Sequence, residues 1–274
     1  MSGILYLVAT PIGNLNDMSV RGVETLREAD FIAAEDTRVT GKLLNRFEIK
    51  KPAVSYHEHN KRASGEAILR RLLAGETCAL VTDAGMPAIS DPGEDLVRLC
   101  AENGVEVIAV PGCCAAVTAL AVSGLPSRRF CFEGFLPMEK RDRAERLEAL
   151  KTERRTSILY EAPHRLMRTL TELYEALGDR ELAVCRELTK LHEQTLRCTL
   201  SGAIRHFTEV PPKGEFVLVL SGAPEQTAPV VTEDEALARV RTLQDEGMSC
   251  KAACKQVAQE TGFSKNALYA LAVK

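Results

Sequence analysis

The chain carries no excess of positive charge. Its 35 Lys and Arg stand against 38 Asp and Glu, a net charge of −3. A globally basic nucleic-acid binder is thereby excluded, although a local basic patch is not. No apolar run is long enough to span a bilayer. The most apolar stretch, Val107 to Val122, is broken by Pro111, Gly112 and Thr118. The amino-terminal MSGILYLVATPIG lacks a basic leader region and reads as a first strand rather than a signal peptide. There is no CxxC pair. The nine cysteines are odd in number, and Cys78, Cys100, Cys131 and Cys185 sit in apolar runs. Cys250 and Cys254 are one helical turn apart with no accompanying His or second pair. These features argue against a disulfide framework and a metal site, and for a reducing cytoplasm. Neither GxxxxGK[ST] nor GxGxxG occurs, so ATP and NAD readings through those motifs lack support. No internal repeat or low-complexity segment is present.

What is present is an ordinary globular composition, 45% hydrophobic and 27% charged over 274 residues. At about 150 residues per domain this length implies roughly two domains. Short apolar runs alternate with helical patterns. Strands are expected at Ile4–Val8, Phe31–Ala34, Ala53–Ser55, Cys78–Val81 and Glu106–Val110. Helices are expected over about Ser19–Glu28, Thr40–Phe47, Ser64–Ala74 and Gly93–Asn103. In the third of these, Ile68, Leu69, Leu72 and Leu73 would form the apolar face. Such alternation predicts an α/β domain with a largely parallel sheet. Near Arg128 the pattern restarts. Strands at Phe130–Phe132, Ser157–Tyr160, Leu182–Cys185 and Phe216–Leu220 enclose helices at Lys140–Arg155 and Pro163–Leu177. Two consecutive α/β domains, 1–120 and 121–224, are therefore expected. A linker from Pro224 to Pro229 and a helical region over 231–274 follow.

Four Gly/Pro-rich or polar loops follow apolar strands, where open α/β sheets bind ligands. Thr10-Pro11-Ile12-Gly13-Asn14 reads as a tight turn or as a backbone that approaches a ligand. In Glu35-Asp36-Thr37-Arg38, Asp36 is either a helix cap paired with Arg38 or part of a substrate clamp or general base. In the long loop Thr82 to Gly93, Ser90 or Asp91 would cap the next helix. Pro111-Gly112-Cys113-Cys114-Ala115-Ala116 opens a helix with residues small enough to let its N-terminus meet a ligand.

Taken together, TDAGMPAISDPG, the VPG helix start and the paired α/β units resemble the tetrapyrrole methylase superfamily, the class III S-adenosylmethionine-dependent methyltransferases. The finer segments are VATPIGNLNDMS, AEDTR, YHEHN, EGFLP, YEAPHR, CRELTKLHE and PKGEFVLV. They resemble one branch, the enzymes that methylate the ribose 2′-oxygen of a cytidine in bacterial 16S rRNA. The resemblance covers about residues 3 to 222. Cys113-Cys114 departs mildly from the usual small residues. Asp83-Ala84-Gly85 replaces the Gly-Asp-Pro type of loop of the tetrapyrrole enzymes, which argues against a porphyrin substrate.

The resemblance implies a cleft between the two α/β domains holding S-adenosylmethionine, with no metal. Its cofactor environment would comprise Pro11, Gly13, the loop residues Asp83, Ala84, Gly85, Met86, Pro87 and Ala88, the helix start Gly112, Cys113, Cys114 and Ala115, and Tyr160 with Glu161. Candidates for the base are Asp36 and Glu35, then His57 and Glu58, then Lys190, with Asp36 favoured through Arg38. For His57 and His59 a plain polar surface loop stands as the alternative. RNA contact would come from Arg38, Lys42 and Arg46, from Lys61 and Arg62, from Arg165 and Arg168, and from Arg186 with Lys190. The helix Lys140–Arg155 reads instead as a salt-bridged face. The tail from Gly247 resembles a helix-turn-helix, with four Lys against one Glu from Ser249 onward. Ala252, Ala253, Val257 and Ala258 would pack one helix and Ala267, Leu268 and Leu271 the next, with Ser264 as an N-cap. It would either grip RNA backbone or pack on protein. The family further suggests a cytoplasmic homodimer acting on the assembled 30S subunit. Competing readings are a methyltransferase of the same fold acting on a tetrapyrrole or other small acceptor, and a non-catalytic ribosome-maturation factor.

Overall fold

Residues 2–224 and 232–273 are described by a computed structural model. They form two compact units, Met1–Ala223 and Pro224–Lys274. The linker expected from Pro224 to Pro229 lies, beyond Pro224, outside the described residues.

In the first unit, five short apolar runs form a sheet: β1 (Ile4–Val8), β2 (Phe31–Ala34), β3 (Ala53–Ser55), β4 (Cys78–Val81) and β5 (Glu106–Val110). Their order is β3-β2-β4-β1-β5, and every pairing is parallel. Both β2 and β4 are buried at every position, as continuous apolar runs in a sheet covered on both faces require. The crossovers contain α1 (Val20–Glu28), α2 (Thr37–Arg46), α3 (Lys61–Leu73) and α4 (Glu94–Glu102). One face packs Leu5, Phe31, Leu80 and Leu96, and the other Val8, Ile32, Val81 and Leu26. Because β1 lies between β4 and β5, the loops after these three strands emerge side by side at the carboxyl edge.

Two helices differ from expectation. α2 begins at Thr37 rather than Thr40, because the Asp36 side chain accepts the Arg38 N–H and caps it there. In α3, Ile68 and Leu72 are buried one turn apart, but Leu73 is 48% exposed. It is turned about 100° from Leu72 on the helix, away from the sheet.

A second sheet is built from β6 (Phe130–Phe135), β7 (Thr156–Glu161), β8 (Glu181–Arg186), β9 (Gln194–Thr199) and β10 (Phe216–Leu220), in the order β6-β7-β10-β8-β9. Here the pairing differs from that of the first sheet. Only β6 and β7 run parallel; β10 is antiparallel to β7 and β8, and β8 to β9. A short loop joins β8 to β9, too short for the helical crossover that parallel pairing needs. The strand β9 and the helix α8 (Leu200–Glu209) were not anticipated. β9 is an edge strand with no buried residue, so its alternation is weak.

Helices α6 (Lys140–Thr152), α7 (Pro163–Leu177) and α8 enclose one core with this sheet, including Leu150, Leu170, Phe207 and Leu218. α6 carries the expected ion pairs, Arg141–Glu145, Lys151–Glu148 and Arg146–Glu133. The opposite face is covered by α5 (Ala115–Ser123), the helix that follows β5. Its Ala116, Ala119 and Leu120 pack on Ile158, Ala183, Val217 and Val219. The division expected at 120/121 therefore falls inside a helix that joins the two sheets.

The second unit has three helices, α9 (Glu233–Asp245), α10 (Cys250–Thr261) and α11 (Lys265–Ala272). A capping box of Thr232 and Glu235 starts α9. Ala236, Val240, Ala253, Cys254, Val257 and Leu268 form its core. Ala252 and Ala267, expected inside, are exposed, because Cys254 and Leu268 take the inward positions of their helices. Ser264 occupies the N-cap position of α11 without a side-chain hydrogen bond. Among the described residues no helix is long and apolar enough to cross a membrane.

Candidate functional site

The carboxyl edge of the first sheet faces the ends of β6, β7 and β10 across a cavity of about 300 Å³. Ile12, from the loop after β1, forms one part of its wall, and Ala84 to Met86 and Ile89 to Asp91, from the loop after β4, form another. Cys114 and Ala115 contribute the start of α5. The far wall is Phe135, Tyr160 to Pro163 and Glu215 to Val217. This lining contains three acids and no Lys, Arg or His.

Backbone bonds hold the near wall. Thr10 and Gly85 exchange both N–H···O bonds, at 2.9 and 3.1 Å, and the Thr10 hydroxyl donates to the Thr82 carbonyl at 3.1 Å. Gly85 has φ +90°, a conformation other residues adopt only at a cost. Ala88 and Ser90 are also left-handed, at φ +67° and +63°. Strained non-glycine backbone persists only where its surroundings enforce it. The far wall is joined to the near one by the Tyr160 hydroxyl, which accepts the Ala116 N–H at 3.1 Å. Burial pushes this phenol up to about 12, so it stays neutral at ordinary pH.

Seven of the residues expected around a cofactor line this cavity: Ala84, Gly85, Met86, Cys114, Ala115, Tyr160 and Glu161. The others lie beside it. Pro11 and Asp83 border a smaller recess that also contains Lys42. Pro87 and Ala88 face a different hollow, towards Val97 and Arg98. Gly112 lies against Ala9, where a Cβ would come within 2.9 Å of the alanine's own Cβ. Cys113 turns its thiol to the Asp17 carbonyl. Gly13 lies beneath Lys190; a Cβ there would approach Lys190 Cγ to 2.5 Å.

The expected bases have different surroundings. The Asp36 carboxylate caps α2 and grips the Arg38 guanidinium at 2.6 Å. That ion pair and the backbone bonds hold its carboxyl far below the usual range, which makes it a weak proton acceptor. Glu35 accepts the Asp83 N–H at 3.4 Å, and Asp83 accepts the Asp36 N–H at 3.2 Å. Burial raises Glu35, and the neighbouring Asp83 and Asp36 charges add to this. His57 follows β3; its backbone N–H donates to Asn60, and its buried Nδ1 has no partner among the described residues. Glu58 pairs with Lys61 at 2.7 Å. Lys190 donates to Glu187 and Glu215 at 2.9 and 3.0 Å.

The cations expected to meet RNA divide likewise. Arg38 is 88% exposed but bound to Asp36. Lys61 lies between Glu58 and Asp95. Arg62 is 96% exposed, and among the described residues its one ion-pair partner is Glu66 at 4.0 Å. Arg168 pairs with Glu172 at 2.8 Å. Arg165 is 16% exposed; it donates to the Leu136 carbonyl and lies 3.4 Å from Glu161, ties that serve the fold. Arg186 donates to the Lys213 carbonyl.

The residue that sequence reasoning misplaced is Asp91. Neither it nor Ser90 caps α4. The N-cap is Gly93, at φ +148°, and no side chain bonds there. The signal was Pro92-Gly93: proline keeps the residue before it out of helical conformation, which displaces the helix start beyond Asp91's reach. Asp91 instead faces the cavity, where burial first, then the Glu35 and Asp83 charges, push it up to about 7. Phe135 and Glu215 also line the cavity without having been singled out.

Comparison with known proteins agrees with this architecture. The family described as Tetrapyrrole (Corrin/Porphyrin) Methylases matches residues 4–204, and the RsmI C-terminal HTH domain matches residues 230–274. A curated relative from Synechocystis sp., named ribosomal RNA small subunit methyltransferase I, is 52% identical over 99% of this chain and 98% of its own. Among solved structures, a diphthine synthase aligns with TM-score 0.61 at 16% identity, covering 80% of this chain and 90% of its own. A uroporphyrin-III C-methyl transferase from Thermus thermophilus, complexed with S-adenosyl homocysteine, aligns with TM-score 0.57 at 19% identity, covering 80% and 97%. At such identities these two structures show a common fold only.

Proposed function

Since the chain belongs to the tetrapyrrole methylase family, we propose that it transfers a methyl group from S-adenosylmethionine to the ribose 2′-oxygen of a cytidine in 16S rRNA. The observation that carries the choice of acceptor is the 52% identity, end to end, with a ribosomal RNA small subunit methyltransferase. On this reading the protein works in the cytoplasm, on the small ribosomal subunit.

The cavity fits the donor. A dinucleotide or nucleoside triphosphate needs donors and cations for its phosphates, and this lining has acids instead. Apolar walls from Ile12, Met86, Phe135 and Tyr160 suit an adenosine and a thioether chain, and the acidic rim suits a positive sulfonium. Ala84, Gly85, Met86, Cys114, Ala115 and Tyr160 would hold the donor, largely through main chain. Pro11, Gly13 and Gly112 shape the loops behind them. When bound, S-adenosylmethionine supplies a methyl group already activated for displacement, so the chain's own task is positioning and proton removal. Holding two reactants in line lowers a barrier by roughly 7–11 kcal/mol.

Arg62, Lys42 and Arg38 lie on the first sheet's side of the unit and would meet the phosphates around the target. A homodimer and an assembled 30S acceptor complete the reading. The test uses small subunits from a strain lacking this protein, incubated with it and labelled S-adenosylmethionine, with the nucleotide mapped by mass spectrometry. One methyl on a cytidine 2′-oxygen of 16S rRNA is expected. Donor binding without transfer to the subunit would send the search to another acceptor.

A further inference from the structure

Three acids line the cavity, and two of them are already engaged. Glu161 is buried and accepts its neighbouring Ala162 N–H at 2.9 Å and the Thr169 hydroxyl, with Arg165 alongside. It ties the end of β7 to α7. Glu215 is paired with Lys190. The third, Asp91, has no hydrogen bond or ion pair among the described residues. The acids just outside the lining are committed as well: Asp36 to Arg38, and Glu35 and Asp83 to backbone amides.

Asp91 is also held in place from two sides. Ser90 before it is left-handed at φ +63°, and Pro92 follows it. Ser90 rests on β6 at Gly134, where the β6–β7 register shifts. A Cβ at Gly134 would lie 3.0 Å from Ser90 Oγ, and its φ of +62° also calls for glycine. Bulges of this kind re-aim neighbouring groups and concentrate beside active sites. The loop from the first sheet and the bulge of the second thus set one free carboxylate against the apolar wall of Ile89, Phe135 and Tyr160.

Resting on the methyltransferase reading above, we propose that Asp91 is the catalytic base that takes the proton from the acceptor hydroxyl. The O–H bond breaks and its proton passes to the Asp91 carboxylate, then to water. The electron pair left on oxygen forms the new O–CH₃ bond, while the pair of the broken C–S bond stays on sulfur, leaving a neutral thioether. Burial and the facing charges of Glu35 and Asp83 make Asp91 a stronger base than an ordinary aspartate. Cys114, Tyr160, Glu161 and Glu215 are the other titratable groups of the cavity, and none is a cation.

The experiment compares wild type, Asp91→Asn, Asp91→Glu and Asp36→Asn on unmethylated small subunits at saturating S-adenosylmethionine, across pH 5.5–9, with donor affinity measured by calorimetry. Wild-type turnover should rise with pH as Asp91 ionises, at a midpoint that the bound sulfonium draws below the unliganded value of about 7, because the base must be ionised. Asp91→Asn should lose about 10²–10⁴-fold in kcat and the pH dependence with it, while donor Kd stays within threefold. Asp91→Glu should recover part of both, and Asp36→Asn should keep the wild-type pH profile. Asp91→Asn turnover within threefold of wild type would overturn the assignment alone. So would a donor Kd weakened thirtyfold with kcat intact, which would make Asp91 a donor ligand. Wild type that binds the donor but methylates no rRNA would overturn the reading beneath it and the assignment too.

Discussion

The two sheets of the first unit solve the same packing problem differently. The first is wholly parallel, and its loops all leave at one edge. The second is mostly antiparallel, with one face under α6, α7 and α8 and the other under α5. A parallel sheet brings polar, turn-rich loops together at its carboxyl edge. The second sheet adds what such an edge lacks: an apolar wall, and at Gly134, within its parallel β6–β7 pair, a bulge that positions the opposing loop. The cavity belongs to neither sheet alone. The free carboxylate, Asp91, comes from a loop of the first sheet, and most of the enclosing wall comes from the second.

The sharpest test of that partnership is whether the sheets unfold together. Leu80 is buried at the centre of the first and Leu218 at the centre of the second. Truncation of either to alanine should cost about 2–5 kcal/mol. Urea denaturation of residues 1–223, followed by far-ultraviolet circular dichroism, should move one shared transition for both variants. Two separated transitions would break the comparison.

Next in size is Gly85→Ala, which puts a side chain at φ +90° within the Thr10 bridge. Strain of about 1–3 kcal/mol is expected at such a position. Calorimetry should show S-adenosylmethionine binding weakened by tenfold or more. Gly104→Ala, also left-handed but at a surface turn away from the cavity, should leave binding unchanged.

The Asp91 environment predicts a pH effect on stability. Its folded value near 7 lies above the unfolded 3.8, so the folded state binds the extra proton between them. Its contribution is therefore full below pH 4 and is lost as pH rises through 7. Asp91→Asn should raise Tm at pH 8 and leave it unchanged at pH 4. The gain should be on the order of 1–2 kcal/mol once solvent screening is allowed for. A Tm gain equal at both pH values would remove charge as its cause.

Smaller still, Tyr160→Phe removes the hydroxyl that joins the second sheet to the start of α5. The loss should be about 0.5–1.5 kcal/mol. Smallest for the fold is Arg62→Ala, which should leave Tm unaltered and lower the salt dependence of subunit binding by about one phosphate contact. Arg165→Ala should do the reverse, lowering Tm with the salt slope unchanged, since its guanidinium is spent on Leu136 and Glu161.

How much of this was legible in advance follows from where the signals reside. Strands such as Cys78–Val81 and Phe216–Leu220 are unbroken apolar runs between turns, and they stand where they were expected. β9 escaped notice because QTLRCT is an edge strand whose outer positions are polar. The antiparallel placement of β10 between β7 and β8 escaped for a different reason, since apolar runs do not encode direction. Asp36 invited a catalytic reading because it follows a strand beside an arginine, yet that arginine neutralises it.

The motifs from VATPIGNLNDMS to PKGEFVLV carried the resemblance to the family, and the order and periodicity of residues carried most of the elements and the loops around the cavity. These depend on local propensity and burial patterns, which reside in neighbouring residues. Which carboxylate stays free was decided only by folding. Asp36, Glu161, Glu215 and Asp91 are chemically alike in sequence. Their difference arises because Arg38, Thr169 and Lys190 reach the first three, while the loop strain at Ser90 and the bulge at Gly134 leave the fourth without a partner among the described residues, against an apolar wall. A proton affinity is set by the charges and solvent around a group, and those are assembled from segments far apart in the chain.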